Sequence, residues 1–264
     1  MKLVVAALLA GAFLATPAPA AAATPAPAAA AAPADPVAAL KSRSGAGKGV
    51  RFTEVASYVE LAGKSELLTR RGAFQYGKSG FAASDISVKH TEKERVHTFL
   101  DDERVITVGK VSYVRNKLLG EGLPKGKTWT RTHRPLPAGL TAFYTQPVNA
   151  AEPEALKALV KGAKRSGRTY TGSITFEQLA KASPWARSVL VGEQDDEVIR
   201  YTLTVGADRL PRQLRTTYLA TAHGFGGNST SPGDEVSTRT VYEGWGHRQT
   251  IKAPPASQVY TGKE

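Results

Sequence analysis

The chain has no cysteine among its 264 residues. Disulfides, thiolate metal centres and thiol catalysis are therefore excluded, and so is a lipid anchor carried on a cysteine. It also lacks any apolar run long enough to cross a bilayer beyond its first residues. Acidic residues are the scarcer charge, 23 against 35 Lys and Arg, for a formal net charge of +12. Such a balance favours acidic surfaces, whether anionic lipid head groups, wall polymers or acidic proteins. It also keeps a protein soluble without any specific partner. The basic residues are spread along the chain, and no run resembles a nucleic-acid arm, so nucleic acid is not an expected partner.

What is present begins with a leader. Lys2 precedes an apolar run from Leu3 to Leu14, followed by Ala18-Pro19-Ala20 and Ala21-Ala22-Ala23. A positive start, a short apolar stretch and small residues before a cut form an export signal, here residues 1–23. The expected location is secreted, in the cell envelope or beyond, with no lipid anchor. Residues 24–49 are first almost wholly Ala and Pro, then Gly, Ser and basic residues, which reads as a flexible tether. Residues 50–264 are long enough for a single β-rich domain with a sizeable core.

Period two dominates that domain. Val50 to Leu61 nearly alternates, with a phase slip expected around Glu54. Ser65–Tyr76 and Phe81–His90 read as the next strands, split by Gly77 and Gly80. Arg95–Leu100 and Arg104–Arg115 flank a turn at Asp101-Asp102-Glu103, and Lys127–His133 follows a loop. The middle changes period. Pro153–Lys161 has proline at a helix start and apolar residues at helical spacing. Thr175–Ala182 and Pro184–Val189 read as two further short helices. Strands return at Glu197–Val205, Leu210–Ala222, Val236–Tyr242 and Arg248–Ile251, and Pro254-Pro255 is expected to end the sheet. Strands, short helices, then strands imply an α+β fold, an antiparallel sheet whose apolar face is covered by helices.

That order, with its local wording, resembles the exported actinobacterial lipoproteins of the LppX and LprG type and their LolA-like relatives. The matching stretches are Val111–Arg115, Lys127–Thr130, Tyr170–Leu179, Asp208–Leu214, and Gly244–Gly246 leading to Thr250–Pro255. The resemblance spans Val50 to Val259 and lies in the ordered set of pieces, none of them catalytic. It implies a LolA-like half-open β-barrel, its apolar cavity capped by two or three short helices and holding lipid or acyl chains. The family's lipidated cysteine is missing here.

No constellation for catalysis stands out. The histidines at 90, 97, 133, 223 and 247 lack metal-site spacing, so no metal or cofactor is expected. Gly122–Thr128 superficially looks like a phosphate loop, but Pro124 interrupts it and a strand follows. Lys78-Ser79-Gly80 lacks the partner motif of a serine transpeptidase and reads as a turn. Glu92/Glu94 and Asp195/Asp196 sit in charged, turn-like segments, where solvated carboxylates are the rule. With no such constellation, what the resemblance implies is the expectation: a non-enzymatic, monomeric carrier of an apolar ligand, with bulk apolar contacts and no fixed motif. Inner-face candidates are Val111, Tyr113, Ile199, Tyr201, Leu203 and Val205. Covering-helix candidates are Leu156, Leu159, Val160, Leu179, Trp185 and Val189. The alternative is an exported interaction module that binds a cell-envelope protein or anionic surface through a sheet filled by its own side chains.

Overall fold

A computed structural model describes residues 35–61, 63–91, 102–132, 135–140, 145–189, 196–220 and 233–262. The leader, the strand expected at Arg95–Leu100, His97, His133, His223, Glu92/Glu94 and Asp195 lie outside the described residues.

Among the described residues twelve strands form one open sheet in the order β12-β6-β5-β4-β3-β2-β1-β11-β10-β9-β8-β7. The first meander comprises β1 (Lys48–Glu60), β2 (Gly63–Tyr76), β3 (Phe81–His90), β4 (Glu103–Val108), β5 (Val111–Asn116) and β6 (Trp129–Thr132). The second runs through β7 (Lys164–Ser166), β8 (Thr169–Thr175), β9 (Val198–Val205), β10 (Pro211–Leu219) and β11 (Glu235–Arg248). The long antiparallel pairing of β1 with β11 joins the two. Ile86 of β3 and Tyr170 of β8 share one hydrophobic cluster although six places separate their strands in the sheet. The sheet therefore curls around a common interior without closing.

Five short helices accompany it among the described residues: α1 (Pro36–Arg43), α2 (Lys117–Glu121), α3 (Pro153–Gly162), α4 (Phe176–Ala182) and α5 (Pro184–Val189). Helix α3 buries Ala155, Leu156 and Leu159 and leaves Lys157 exposed, as the helical spacing implied. Helix α4 opens with a capping box, Thr175 and Gln178 satisfying each other's backbone N–H groups. Leu156, Leu159 and Leu179 meet Ile199, Leu203 and Leu214 in the core.

Several expectations are corrected. Residues 36–43 are not tether but helix, with Leu40 fully buried. Asp35 caps it, accepting from the Ala38 N–H at 3.1 Å, and Pro36 supplies a preset first turn. Arg104–Arg115 is two strands, because Gly109, at φ 60°, and Lys110 make a tight hairpin between them. Glu103 lies in β4, not in a turn. The phase of β1 does not slip at Glu54. That side chain stays in phase and points inward, and the irregularities fall at Ala56/Ser57 and Gly49/Arg51. The last long strand continues through Trp245 to Arg248, and Ile251 is outside it. Pro254-Pro255 does not end the sheet, since β12 (Val259–Tyr260) pairs in parallel with β6.

Candidate functional site

The interior is built around a buried strap. Residues 145–152 connect toward α3 across the inner face of the sheet, and all eight are buried. A loop inside a protein brings backbone N–H and C=O groups that need partners. The sheet supplies them with inward polar side chains. Tyr218 Oη donates to the Thr145 carbonyl at 2.9 Å, and Tyr76 Oη to that of Ala151 at 2.8 Å. The Ala150 N–H donates to Tyr242 Oη at 3.1 Å. The Gln146 N–H donates to Glu54 Oε1 at 3.0 Å, and Thr216 Oγ1 donates to Gln146 Oε1 at 2.7 Å.

Glu54 is itself held by Arg70. The guanidinium donates through Nε at 3.0 Å and Nη2 at 2.7 Å, and both side chains are 1 % exposed. The forked geometry suits a carboxylate better than a lysine would. Arg70 also lies over the rings of Trp185, at 5.2 Å, and Phe52, at 5.9 Å.

Beside the strap, a cavity of about 390 Å³ remains between the ends of β2–β4 and helix α5. Phe74, Tyr76 and Phe81 form its aromatic wall, with Phe74 and Phe81 stacked at 4.4 Å. Trp185 meets Phe74 edge-on at 5.5 Å and donates its ring N–H to the Gln146 carbonyl at 3.1 Å. Glu152 lines the cavity although it is buried. It accepts from the Ser183 hydroxyl and, at 2.9 Å, from the Trp185 N–H. Burial pushes its carboxyl up to about 7, against the downward pull of those donors and of Arg187.

Of the twelve residues expected to hold a ligand, Trp185 lines this cavity. Leu156, Leu159, Leu179, Ile199, Tyr201, Leu203 and Val205 are brought together, but in the packed core, with Val160 half-buried against it. Tyr201 Oη donates to the Leu159 carbonyl at 2.6 Å, tying sheet to helix. Val189 ends α5. Val111 and Tyr113 do not face the interior. Ser112 and Val114 do, both fully buried, so their neighbours point to the opposite face. The inward place of Ser112 is earned by hydrogen bonds, to Thr107 Oγ1 at 2.6 Å and from the Leu136 N–H at 2.8 Å. Glu152, Ser84 and the strap escaped notice, because periodicity has no term for a polar side chain turned inward. Lys78-Ser79-Gly80 is the exposed β2–β3 turn, and Asp196 is exposed. Among the described residues no group of three or more His, Asp or Glu side chains gathers as a metal site would require. No helix among them is long and apolar enough to cross a membrane.

No protein-family model matches the chain, and no curated protein matches it. Among solved structures it is similar to a LolA superfamily protein from Nitrosomonas europaea, with 10 % identity over 83 % of this chain and 93 % of that one. The TM-score is 0.28, at which the likeness carries no weight. The open antiparallel sheet and its covering helices stand on the strand pairing alone.

Proposed function

We propose that this chain is a secreted, non-enzymatic carrier whose cavity beside Trp185 takes the apolar chain of a lipid-like ligand. The observation that supports this reading is the cavity itself, about 390 Å³ with an aromatic wall and a rim at the exposed turn Ser79–Gly80. That volume lies at the lower end of small-molecule sites, roughly 300–1,000 Å³. At about 30 Å³ per water-sized group it admits roughly a dozen carbon atoms, fewer than a sixteen-carbon chain, whose end would protrude. A dozen methylenes at ~0.8 kcal/mol each supply up to about 10 kcal/mol, from which ordering costs of about 4 kcal/mol or more leave at best binding in the tens of micromolar.

The test is titration with a neutral apolar fluorophore such as N-phenyl-1-naphthylamine, with Ala82→Phe as the control that fills the cavity. Saturable binding that the variant loses supports the carrier. Absence of binding by the folded wild-type protein overturns it.

The second reading is an exported interaction module. It is favoured by the strap, which occupies the inner face where an open barrel would hold its ligand. Under that reading the excess positive charge engages an anionic envelope surface or an acidic protein. Salt-sensitive binding to anionic vesicles together with no uptake of the fluorophore would decide for it.

A further inference from the structure

Among the described residues the cavity wall carries one sign of charge, and it is the scarce one. In a chain of net charge +12, the charged residues lining the cavity are Glu152 and Glu154. No Lys, Arg or His lines it among the described residues. Glu154 is at the rim, more than half exposed, and sits 3.7 Å from Lys157. Glu152 is deeper. The groups acting on it are two neutral donors, from Ser183 and Trp185, and the guanidinium of Arg187, whose Nη1 is engaged with the Ala180 carbonyl. The phenols of Tyr76 and Tyr242 are the other titratable groups near it.

A second feature points to a ligand. Ser84, in the β3 part of the wall, is 3 % exposed, and its hydroxyl has no hydrogen-bond partner among the described residues. A buried hydroxyl without a partner is costly and calls for one. The cavity therefore offers a carboxyl and an unanswered hydroxyl to whatever polar end enters with an apolar chain.

We propose that the cavity takes amphiphiles with a non-anionic head, an aliphatic amine or alcohol, and rejects fatty-acid carboxylates, with Glu152 as the specificity-determining residue. This rests on the carrier reading and narrows it to a ligand class. An ammonium head is attracted to the ionised Glu152 in a poorly screened site. An alcohol exchanges hydrogen bonds with Glu152 and Ser84 in either protonation state. A carboxylate meets a like charge there with no lining cation among the described residues to offset it.

The experiment displaces N-phenyl-1-naphthylamine with three ligands of matched chain: dodecylamine, 1-dodecanol and dodecanoate. It is run at about pH 8, where a carboxyl titrating near 7 is mainly ionised, and in moderate salt to suppress surface attraction. The amine and the alcohol are expected to displace the fluorophore at concentrations at least about tenfold below dodecanoate, a factor that corresponds to about 1.4 kcal/mol. Glu152→Gln should narrow the gap between amine and carboxylate, and Ser84→Ala should weaken the alcohol more than the amine, which keeps its charge attraction to Glu152. The ranking in the unmodified protein decides the charge claim even if a variant fails to fold. Dodecanoate displacing as well as the amine overturns this inference while leaving the carrier intact. A gap unchanged in folded Glu152→Gln overturns the role of Glu152. If the fluorophore itself does not bind, the carrier reading falls and takes this inference with it.

Discussion

One sheet is covered in two different ways. Over β8, β9 and the Leu214 end of β10 the cover is helical, and α3 and α4 deliver Leu156, Leu159 and Leu179 onto Ile199, Leu203 and Leu214, all of them fully buried. From Thr216 and Tyr218 of β10 across β11 and β1 to β4 the cover is the strap and α5, and the inner face there carries Glu54, Arg70, Ser84, Thr107 and Thr216. A helix satisfies its own backbone and brings side chains to bury, so the sheet beneath it is aliphatic. An extended strap brings bare N–H and C=O groups, so the sheet beneath it must offer hydrogen bonds. The cavity lies on the strap side, where filling is incomplete, and that is where a ligand would find both apolar wall and polar anchor.

The largest effect should come from removing the charge that holds the strap. Glu54→Ala leaves Arg70 buried without its partner and takes an acceptor from the Gln146 N–H. Breaking such a pair costs about 3–5 kcal/mol, to be read from urea denaturation midpoints. The double substitution Glu54→Leu with Arg70→Met should be milder than Glu54→Ala alone, because no bare charge remains. If Glu54→Ala costs less than about 1 kcal/mol, the strap does not depend on the ion pair.

On the helical side the contrast is apolar. Leu159→Ala removes a fully buried side chain from the core and should cost about 2–5 kcal/mol. Lys157→Ala, two residues away on the exposed face, should stay within about 0.5 kcal/mol. Equal shifts in melting temperature would mean that α3 does not present this face to the sheet.

The helical side was legible in the sequence and the strap side was not. Ile199, Tyr201, Leu203 and Val205 alternate with polar residues over a long stretch, and α3 and α4 carry helical spacing with a proline or a capping threonine at the start. Those are local signals. The inward places of Glu54 and Ser112 are not, since each is set by a distant partner, Arg70 and Gln146 for one, Thr107 and Leu136 for the other. Reading polar as outward put a phase slip at Glu54 and turned Tyr113 inward, both against the observed register. The Gly109-Lys110 hairpin escaped because apolar residues continue on both sides of it. The helix at Pro36–Arg43 was hidden by composition, although Asp35-Pro36 is a helix start with a mechanism.

Glu152 sharpens the comparison through pH. Its carboxyl titrates near 7 in the folded protein against an ordinary value of 4.5, so the folded state holds a proton that the unfolded state has lost. Stability from this group is complete below about pH 4.5 and declines as pH rises through about 7, by an amount on the order of 3 kcal/mol. Denaturation midpoints should therefore fall between pH 5 and 8 in the wild type, and the fall should be smaller in Glu152→Gln. Parallel profiles for the two proteins would place the titration elsewhere.

The smallest effect on stability, and the sharpest on binding, belongs to the cavity. Ala82 is a half-buried residue of its wall, so Ala82→Phe has room to place its ring inward. Its stability should change by less than about 1.5 kcal/mol, because the ring enters space that no side chain fills. Leu203→Trp, by contrast, enlarges a residue already enclosed in the helical core and should cost about 1–3 kcal/mol through overpacking, without touching the cavity. The pair separates the two regions directly: Ala82→Phe should lose the fluorophore and keep its melting temperature, while Leu203→Trp should lower the melting temperature and still bind at permissive temperature. The reverse pattern would move the ligand from the strap side of the sheet to the space under α3 and α4.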